Sequence, residues 1–354
     1  MRETLAEWRP AIDGAIADLF PREMDEAYLE SFFGEPTYTY DPEGIQQALA
    51  TPLWDLLDRG GKRWRAVLFL VFVEAFGEDP SEYVHYACIP EILHNGTIVV
   101  DDVEDEATIR RGEPALHRIY GQDVALNAGN AMYFLPLKIL SAGPKALSAE
   151  KRLAAYEMLT TELNRTHLGQ GVDICWHNEG AVRITPDQYL EMCACKTGCL
   201  GRIVARLAAI LTGQSEAVEQ QAAAYAETVS IAFQVGDDIL DIEHSLGRAG
   251  EFGKEFGNDI REGKKTLLVI YAIETSEPEI AERLLDILQA TENTDEEIEE
   301  ALSILESAGS IEFAREQALE LVTEAQGYVD ALDIDPEAAR KLREFASFVV
   351  ERDV

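Results

Sequence analysis

The 354-residue chain carries 66 Asp and Glu against 30 Lys and Arg, a formal net charge of −36, with 47% hydrophobic residues. That much apolar material excludes global disorder, and so acidic a balance excludes a nucleic-acid-binding protein, which needs a basic footprint. Self-repulsion of this size destabilises a compact state at low salt. The chain is therefore expected to be halophilic, working where screening at 1 M shortens the Debye length to ~3 Å.

Helical periodicity dominates, without strand-type alternation or strand–helix repeats, and predicts an all-α chain. Residues 1–50 form an N-terminal segment with breaks expected at Pro10, Pro21, Gly34, Pro36 and Pro42. A helix ends at Gly60-Gly61 and another begins at Trp64. Leu93 to Asp105 makes a helix, followed by a turn over Arg110-Arg111-Gly112-Glu113-Pro114. Residues 122–141, 148–177, 186–212 and 216–244 read as further helices. Gly247 to Gly263 reads as a loop, and amphipathic helices follow Thr266. No low-complexity linker divides residues 1–354, so a single domain is expected, with a motif core at about 50–270 and a helical part at 271–354. The longest apolar stretch, Ala66 to Val73, is too short to cross a bilayer, so no stable membrane insertion is expected.

Two acidic blocks stand out. Asp101-Asp102-Val103-Glu104-Asp105 and Asp237-Asp238-Ile239-Leu240-Asp241 each place carboxylates at i and i+4 on one helix face, where like charges repel. Each follows an apolar stretch, Ile98-Val99-Val100 and Ile231-Ala232-Phe233. Oxygen-only ligands of this kind suit Mg²⁺, which is usually held by one or two carboxylates plus substrate phosphates. The run Glu296-Glu297-Ile298-Glu299-Glu300, by contrast, reads as a solvated helix surface. Lysine is scarce, and five of nine lie in short glycine-containing segments: Lys62, Lys196, Lys254, Lys264 and Lys265. Ammonium groups beside closely approaching backbone suit a diphosphate. The five cysteines include Cys193, Cys195 and Cys199, but no Cys-x-x-Cys pair, so no zinc site is expected. With an odd cysteine count and a polar, acidic N-terminus, a reducing cytoplasm is expected.

Seven ordered blocks, GGKRWR (60–65), HNGTIVVDDVED (94–105), RRG (110–112), GQGVD (169–173), KTG (196–198), FQVGDDILD (233–241) and GKEFGNDIREGKKT (253–266), resemble the motifs of trans-isoprenyl diphosphate synthases, also called polyprenyl synthases. Within that family the stretch from His94 to Tyr133-Phe134 is most similar to geranylgeranyl diphosphate synthases. The resemblance implies a single large bundle of about ten or more helices around a deep central cavity, the isoprenoid synthase type I fold, with the acidic blocks facing each other across it. It implies a Mg²⁺-dependent prenyltransferase of isoprenoid lipid biosynthesis. Isopentenyl diphosphate and an allylic diphosphate would be joined by 1′-4 head-to-tail trans condensation, releasing diphosphate and giving geranylgeranyl diphosphate or a longer product.

By the same resemblance, Asp101 and Asp105 would bind two Mg²⁺ and Asp237 a third, with Asp102, Asp238 and Asp241 as ligands or holders of bound water. Arg110, Lys196 and Lys264 would hold the allylic diphosphate, with Thr197 and Gln234 close by and Lys254 on the allylic side or in closure. Lys62, Arg65, His94 and Arg111 would hold the isopentenyl diphosphate, and Gln170 and Asp173 would face the site. His117 is read as structural, hydrogen-bonding near the turn, and Arg63 as a surface charge outside the site. The block at 60–65 departs from the family in having Ala66 where proline often follows, which removes no ligand. Leu93, Gly96 and Thr97 are expected to form the wall that sets product length, so that phenylalanine at Gly96 would shorten the product. A homodimer is implied. A class I terpene cyclase is the alternative enzyme, although it would not need a second diphosphate site; a catalytically silent prenyl-diphosphate-binding subunit is the non-enzyme alternative.

Overall fold

The computed structural model describes residues 1–178, 183–248, 256–290 and 292–350. The all-α expectation is met: among the described residues, the only paired strands are Ile109–Arg110 with Glu113–Pro114. The chain groups into two compact units. One holds residues 2–74 and 78–153; the other holds 154–354 with residues 1 and 75–77.

In the first unit, α1 (Arg2–Leu19) runs through Pro10, where a break was expected. Proline removes one backbone bond, to the carbonyl of Ala6. Both Ala6 and Pro10 are exposed, so water can take the freed carbonyl. Then come α2 (Thr51–Asp58), α3 (Trp64–Ala75), α4 (Val84–Glu104) and α5 (Gln122–Phe134). The Ala66–Val73 run of α3 is apolar all round and wholly buried, as such a helix must be. The acidic helix α4 begins nine residues before the expected Leu93 and passes through Pro90. Tyr86, Ile89, Ile92 and Leu93 are buried around that proline. At about 1.5–3 kcal/mol per buried apolar side chain, this packing outweighs the ~3 kcal/mol cost of proline.

Helices α4 and α5 meet at paired glycines. A Cβ on Gly96 would lie 2.8 Å from Met132 Cβ and 2.9 Å from the Gly129 carbonyl oxygen, and one on Gly129 would lie 3.0 Å from Val100 Cγ2.

The second unit contains residues 154–178 of α6 (Ala149–Asn178), then α7 (Pro186–Cys193), α8 (Cys199–Thr212) and α9 (Glu216–Ser245). It continues through α10 (Leu267–Thr275), α11 (Pro278–Gln289), α12 (Asp295–Ser307), α13 (Ser310–Asp330) and α14 (Pro336–Phe348). The expected helix 186–212 is interrupted by a single π turn, Ala194–Gly198. Helix α9 packs on α8 and α13. The α8 contact depends on Gly201, whose Cβ would lie 2.3 Å from the Ala226 oxygen. At α14, the Tyr225 hydroxyl donates to the Leu342 carbonyl at 2.6 Å. The acidic run at 296–300 belongs to α12 and does structural work. Thr294 and Glu297 form a reciprocal cap, and Arg283 pairs with Glu300 at 2.6 Å. The described part of the predicted loop, 256–263, includes a short helix, Asn258–Arg261.

Candidate active site

In the first unit, the glycine loop after α2 and the hairpin after α4 together build a cationic cluster. The hairpin's central residues, Arg111 (φ 55°) and Gly112 (φ 78°), both lie in the left-handed region, as a two-residue type I′ turn demands. That conformation is uncommon for a residue with a side chain. The guanidinium holds Arg111 there, donating to the carbonyls of Gly60 at 2.7 Å and Leu56 at 3.1 Å and to Asn95 Oδ1 at 2.9 Å. Burial lowers the Arg111 pKa to about 10, and Arg63 and Arg110 push the same way.

Arg63 is not the surface charge expected from sequence. It is 4% exposed, with Nε donating to Asp13 at 2.9 Å, Nη2 donating to the Leu57 carbonyl at 3.0 Å, and Glu91 at 3.6 Å. Its role is to knit the loop to α1, α2 and α4. Arg65 is buried too, with its guanidinium 4.0 Å over the Trp64 ring, whereas Lys62 in the same loop is exposed.

His94 is half-buried on α4, and its Nδ1 has no hydrogen-bond partner among the described residues. Burial first, then Arg65, Arg111, Arg110 and Arg63, hold its pKa well below the usual histidine range. Burial and the surrounding guanidinium groups thus favour the neutral imidazole. His117 is buried, but both ring nitrogens lack hydrogen-bond partners, so the expected bond near the turn is not made.

The first acidic block lies at the carboxyl end of α4, with Asp105 as the C-cap residue. Asp102 is 2% exposed and accepts both Nε and Nη2 of Arg110, the former at 2.8 Å. Asp101 and Asp105 are half-buried. Of the expected product-length residues, Thr97 is half-buried, its hydroxyl donating to the His94 carbonyl at 2.8 Å, and Leu93 is buried. At Gly96 an added Cβ would crowd Met132 and the Gly129 carbonyl of α5.

The second unit repeats the division within the acidic block. Asp237 is half-buried, while Asp238 and Asp241 are 5% and 1% exposed. Asp238 accepts from Tyr189 and, at 2.9 Å, from Gln234 Nε2; Asp241 Oδ1 accepts from the Asp259 amide at 3.3 Å. Lys196 and Thr197 sit on the π turn, a local widening of the helix found often at functional sites. Lys196 Nζ reaches Asp173 at 2.7 Å, and Thr197 Oγ1 donates to Gln234 Oε1 at 3.1 Å.

Asp173 is buried on α6, with half-buried Gln170 one turn before it. The first glycine of GQGVD explains itself here, since a Cβ on Gly169 would lie 2.3 Å from the Lys196 amide nitrogen. Lys264 pairs with Glu262, and Lys265 Nζ donates to the Trp176 carbonyl at 3.0 Å. Lys254 lies outside the described residues. Sequence reasoning passed over His177, one turn beyond Asp173. Burial lowers its pKa, Asp173 opposes this, and Lys264 and Lys196 add to it.

Among the described residues, no three His, Cys, Asp or Glu side chains gather to hold a metal unaided. Half-buried carboxylates flanked by Lys and Arg instead fit Mg²⁺ arriving with phosphate oxygens, its usual mode of binding.

An all-α chain with two such blocks, each with basic side chains in its own unit, suits an enzyme class that handles diphosphates. The Polyprenyl synthetase family model matches residues 46–305, and the chain belongs to that family. It is 34% identical over 313 residues to the geranylgeranyl pyrophosphate synthase of Geoglobus acetivorans, covering 88% of this chain and 92% of that one. It is 33% identical over 316 residues to the geranylfarnesyl diphosphate synthase of Natronomonas pharaonis, covering 84% and 88%. The crystal structure of geranylgeranyl pyrophosphate synthetase from Pyrococcus horikoshii superposes with a TM-score of 0.82 at 28% identity, covering 99% of this chain and 98% of that one. The protein is thus a prenyltransferase with the all-α isoprenoid synthase fold.

Proposed function

We propose that this enzyme condenses isopentenyl diphosphate with an allylic diphosphate, making geranylgeranyl diphosphate or a longer prenyl diphosphate. The observation that carries the reading is the arginine cluster around neutral His94, a site for an anion additional to the one served by the acidic blocks. That second diphosphate site favours chain elongation over cyclisation.

In this reading Arg65, Arg111, His94 and Lys62 hold the isopentenyl diphosphate. Asp101, Asp105, Asp237 and Asp241 would hold Mg²⁺, three ions per site, on the allylic diphosphate, which Arg110, Lys196, Lys264 and Lys254 also bind. Magnesium, when bound, neutralises the charge that builds on the departing diphosphate. Lys196 and Arg110 would each supply fixed positive charge to a diphosphate, the electrostatic stabilisation that lowers such barriers most. The allylic C–O bond breaks, the isopentenyl double bond supplies the electrons for the new C–C bond, and the expelled diphosphate takes the proton. No protein nucleophile is needed, and Asp102, held by Arg110, acts as a positioning group.

The proposal includes both units in one catalytic domain, a homodimer, a cytoplasmic location and a high-salt optimum. Exposed Leu168 and Val172, beside uncharged Thr161 and Asn164 on α6, support self-association. Five free thiols suit a reducing compartment. No described helix is long and apolar enough to cross a membrane. Incubation with radiolabelled isopentenyl diphosphate and each allylic primer tests the reading, with products sized by chromatography. Prenyl diphosphates of 20 carbons or more are expected, whereas ligand binding without turnover would identify a silent subunit.

A further inference from the structure

Asp238 is the hub of a buried hydrogen-bond chain that runs from Tyr189, which also meets the Cys193 thiol, to Thr197. Its Oδ2 accepts from the Tyr189 hydroxyl, and its Oδ1 accepts from Gln234 Nε2 at 2.9 Å. An ionised carboxylate can only accept, so Gln234 must turn its NH₂ to Asp238 and its carbonyl oxygen the other way. That oxygen lies 3.1 Å from Thr197 Oγ1 and cannot donate, so the threonine hydroxyl must. Thr197 has then spent its one proton, and toward a ligand it can only accept. Tyr189, Asp238 and Thr197 are 2%, 5% and 8% exposed, so water competes little for these bonds. Burial and the neighbouring Asp238 raise the Tyr189 pKa well above its usual value, which keeps the phenol a donor at neutral pH.

Resting on the prenyl-transfer reading, we propose that Tyr189 is a positioning residue acting through Asp238 and Gln234. It holds the Asp238 carboxylate away from the metal and sets the polarity of Thr197, so that Thr197 receives a hydrogen bond from metal-bound water rather than giving one to a phosphate oxygen. Tyr189 lies on α7, Gln234 and Asp238 on α9, and Thr197 on the π turn beside Lys196. The chain therefore joins three elements at the point where the ammonium group must be aimed. A bond that served packing alone would not need to end on a hydroxyl adjacent to Lys196. Without the phenol, Asp238 loses one of its donors, the Gln234 amide is held less firmly in its sense, and Thr197 can rotate its proton toward the phosphate.

The test is Tyr189→Phe in the full chain, which removes the hydroxyl and keeps the ring. The expected result is a kcat lower by about tenfold to a hundredfold, the range for losing a hydrogen bond to a charged group. The Mg²⁺ concentration for half-maximal activity should rise severalfold, with the KM for isopentenyl diphosphate and the melting temperature unchanged. Added to Thr197→Val, the same change should cause a smaller loss than it does alone, because part of its effect passes through that hydroxyl. Wild-type kcat and Mg²⁺ dependence in Tyr189→Phe, or losses that multiply in full with Thr197→Val, would overturn the inference. Should Tyr189→Phe fold poorly, Gln234→Leu interrupts the chain from its other side and is held to the same outcomes. If the wild type makes no prenyl product, the functional reading fails by itself; Mg²⁺-dependent binding of inorganic pyrophosphate, weakened by Tyr189→Phe or not, then decides this inference separately.

Discussion

Gly169→Ala should separate stability from catalysis. The new Cβ would stand 2.3 Å from the Lys196 amide nitrogen and 2.8 Å from both Lys196 Cα and the Cys195 carbonyl carbon. These are backbone atoms, so no rotamer change relieves the overlap; reaching an ordinary 3.4 Å contact requires the π turn and α6 to separate by about 1 Å. Overpacking of this kind costs about 1–3 kcal/mol, and the better helix propensity of alanine returns about 1 kcal/mol. The net loss of stability is therefore small, a melting point lower by a few degrees at most. A displacement of 1 Å at a group that must meet a diphosphate costs about a hundredfold in rate. Turnover of labelled isopentenyl diphosphate and thermal melting are measured on the same preparations. Gly171→Ala is the control, since nothing lies within 4 Å of its Cβ; it should melt up to about 1 kcal/mol more stably and retain activity. A Gly169→Ala enzyme with wild-type turnover would refute the claim that this close approach aims Lys196.

Asp101→Ala and Asp237→Ala should each reduce turnover by orders of magnitude without loss of fold, measured at saturating Mg²⁺, and near-normal activity in either would remove it from the metal site. The melting temperature should climb as KCl is raised toward molar concentrations, because screening relieves a net charge of −36; a flat profile contradicts the proposed salt requirement. His94 is depressed in the folded state, so the unfolded chain binds the extra proton once pH falls below about 6.5 and stability declines from there downward. His94→Gln should remove part of that decline, visible as a shallower slope of melting temperature against pH, and equal slopes would mean that His94 is not held neutral by its surroundings.

The motifs were legible because chemistry constrains residue type, whereas most of what holds them was not. An arginine such as Arg63 has no local mark of burial, and only the folded loop shows it joining three helices. Tyr189 lies in no motif, and its role depends on α7 meeting α9. The close contact at Gly96, however, leaves a mark in the sequence. At about 100° per residue, five positions before Asp101 is about 140° away around the helix, while Thr97, four before, is only about 40° away. A residue so far from the acidic face belongs to a helix contact, which is where Gly96 meets α5. Pro10 misled for the opposite reason, since a local rule was overridden where water can take the freed carbonyl.

The first acidic block lies in the closing turn of α4, whereas the second stops one turn short of the end of α9. The helix dipole puts a partial negative charge of about one half at the end of α4, so each carboxylate added there costs about 0.3–1 kcal/mol where a lysine or arginine would stabilise. Both blocks bury their middle aspartate, and they differ at the last, where Asp105 is half-buried and Asp241 is buried. The middle aspartates, Asp102 and Asp238, are buried and accept from Arg110 and from Tyr189 with Gln234. The first ones, Asp101 and Asp237, are half-buried. Protein donors thus fix the orientation of each block from within, while in the first block the end of α4 makes the outer carboxylates Asp101 and Asp105 favour a cation. The local instability is the affinity: a divalent ion relieves carboxylate repulsion and dipole together. Metal removal should accordingly lower the melting temperature more in the wild type than in Asp101→Ala, which has already shed part of that repulsion, and an equal drop in both would show that the dipole argument is wrong.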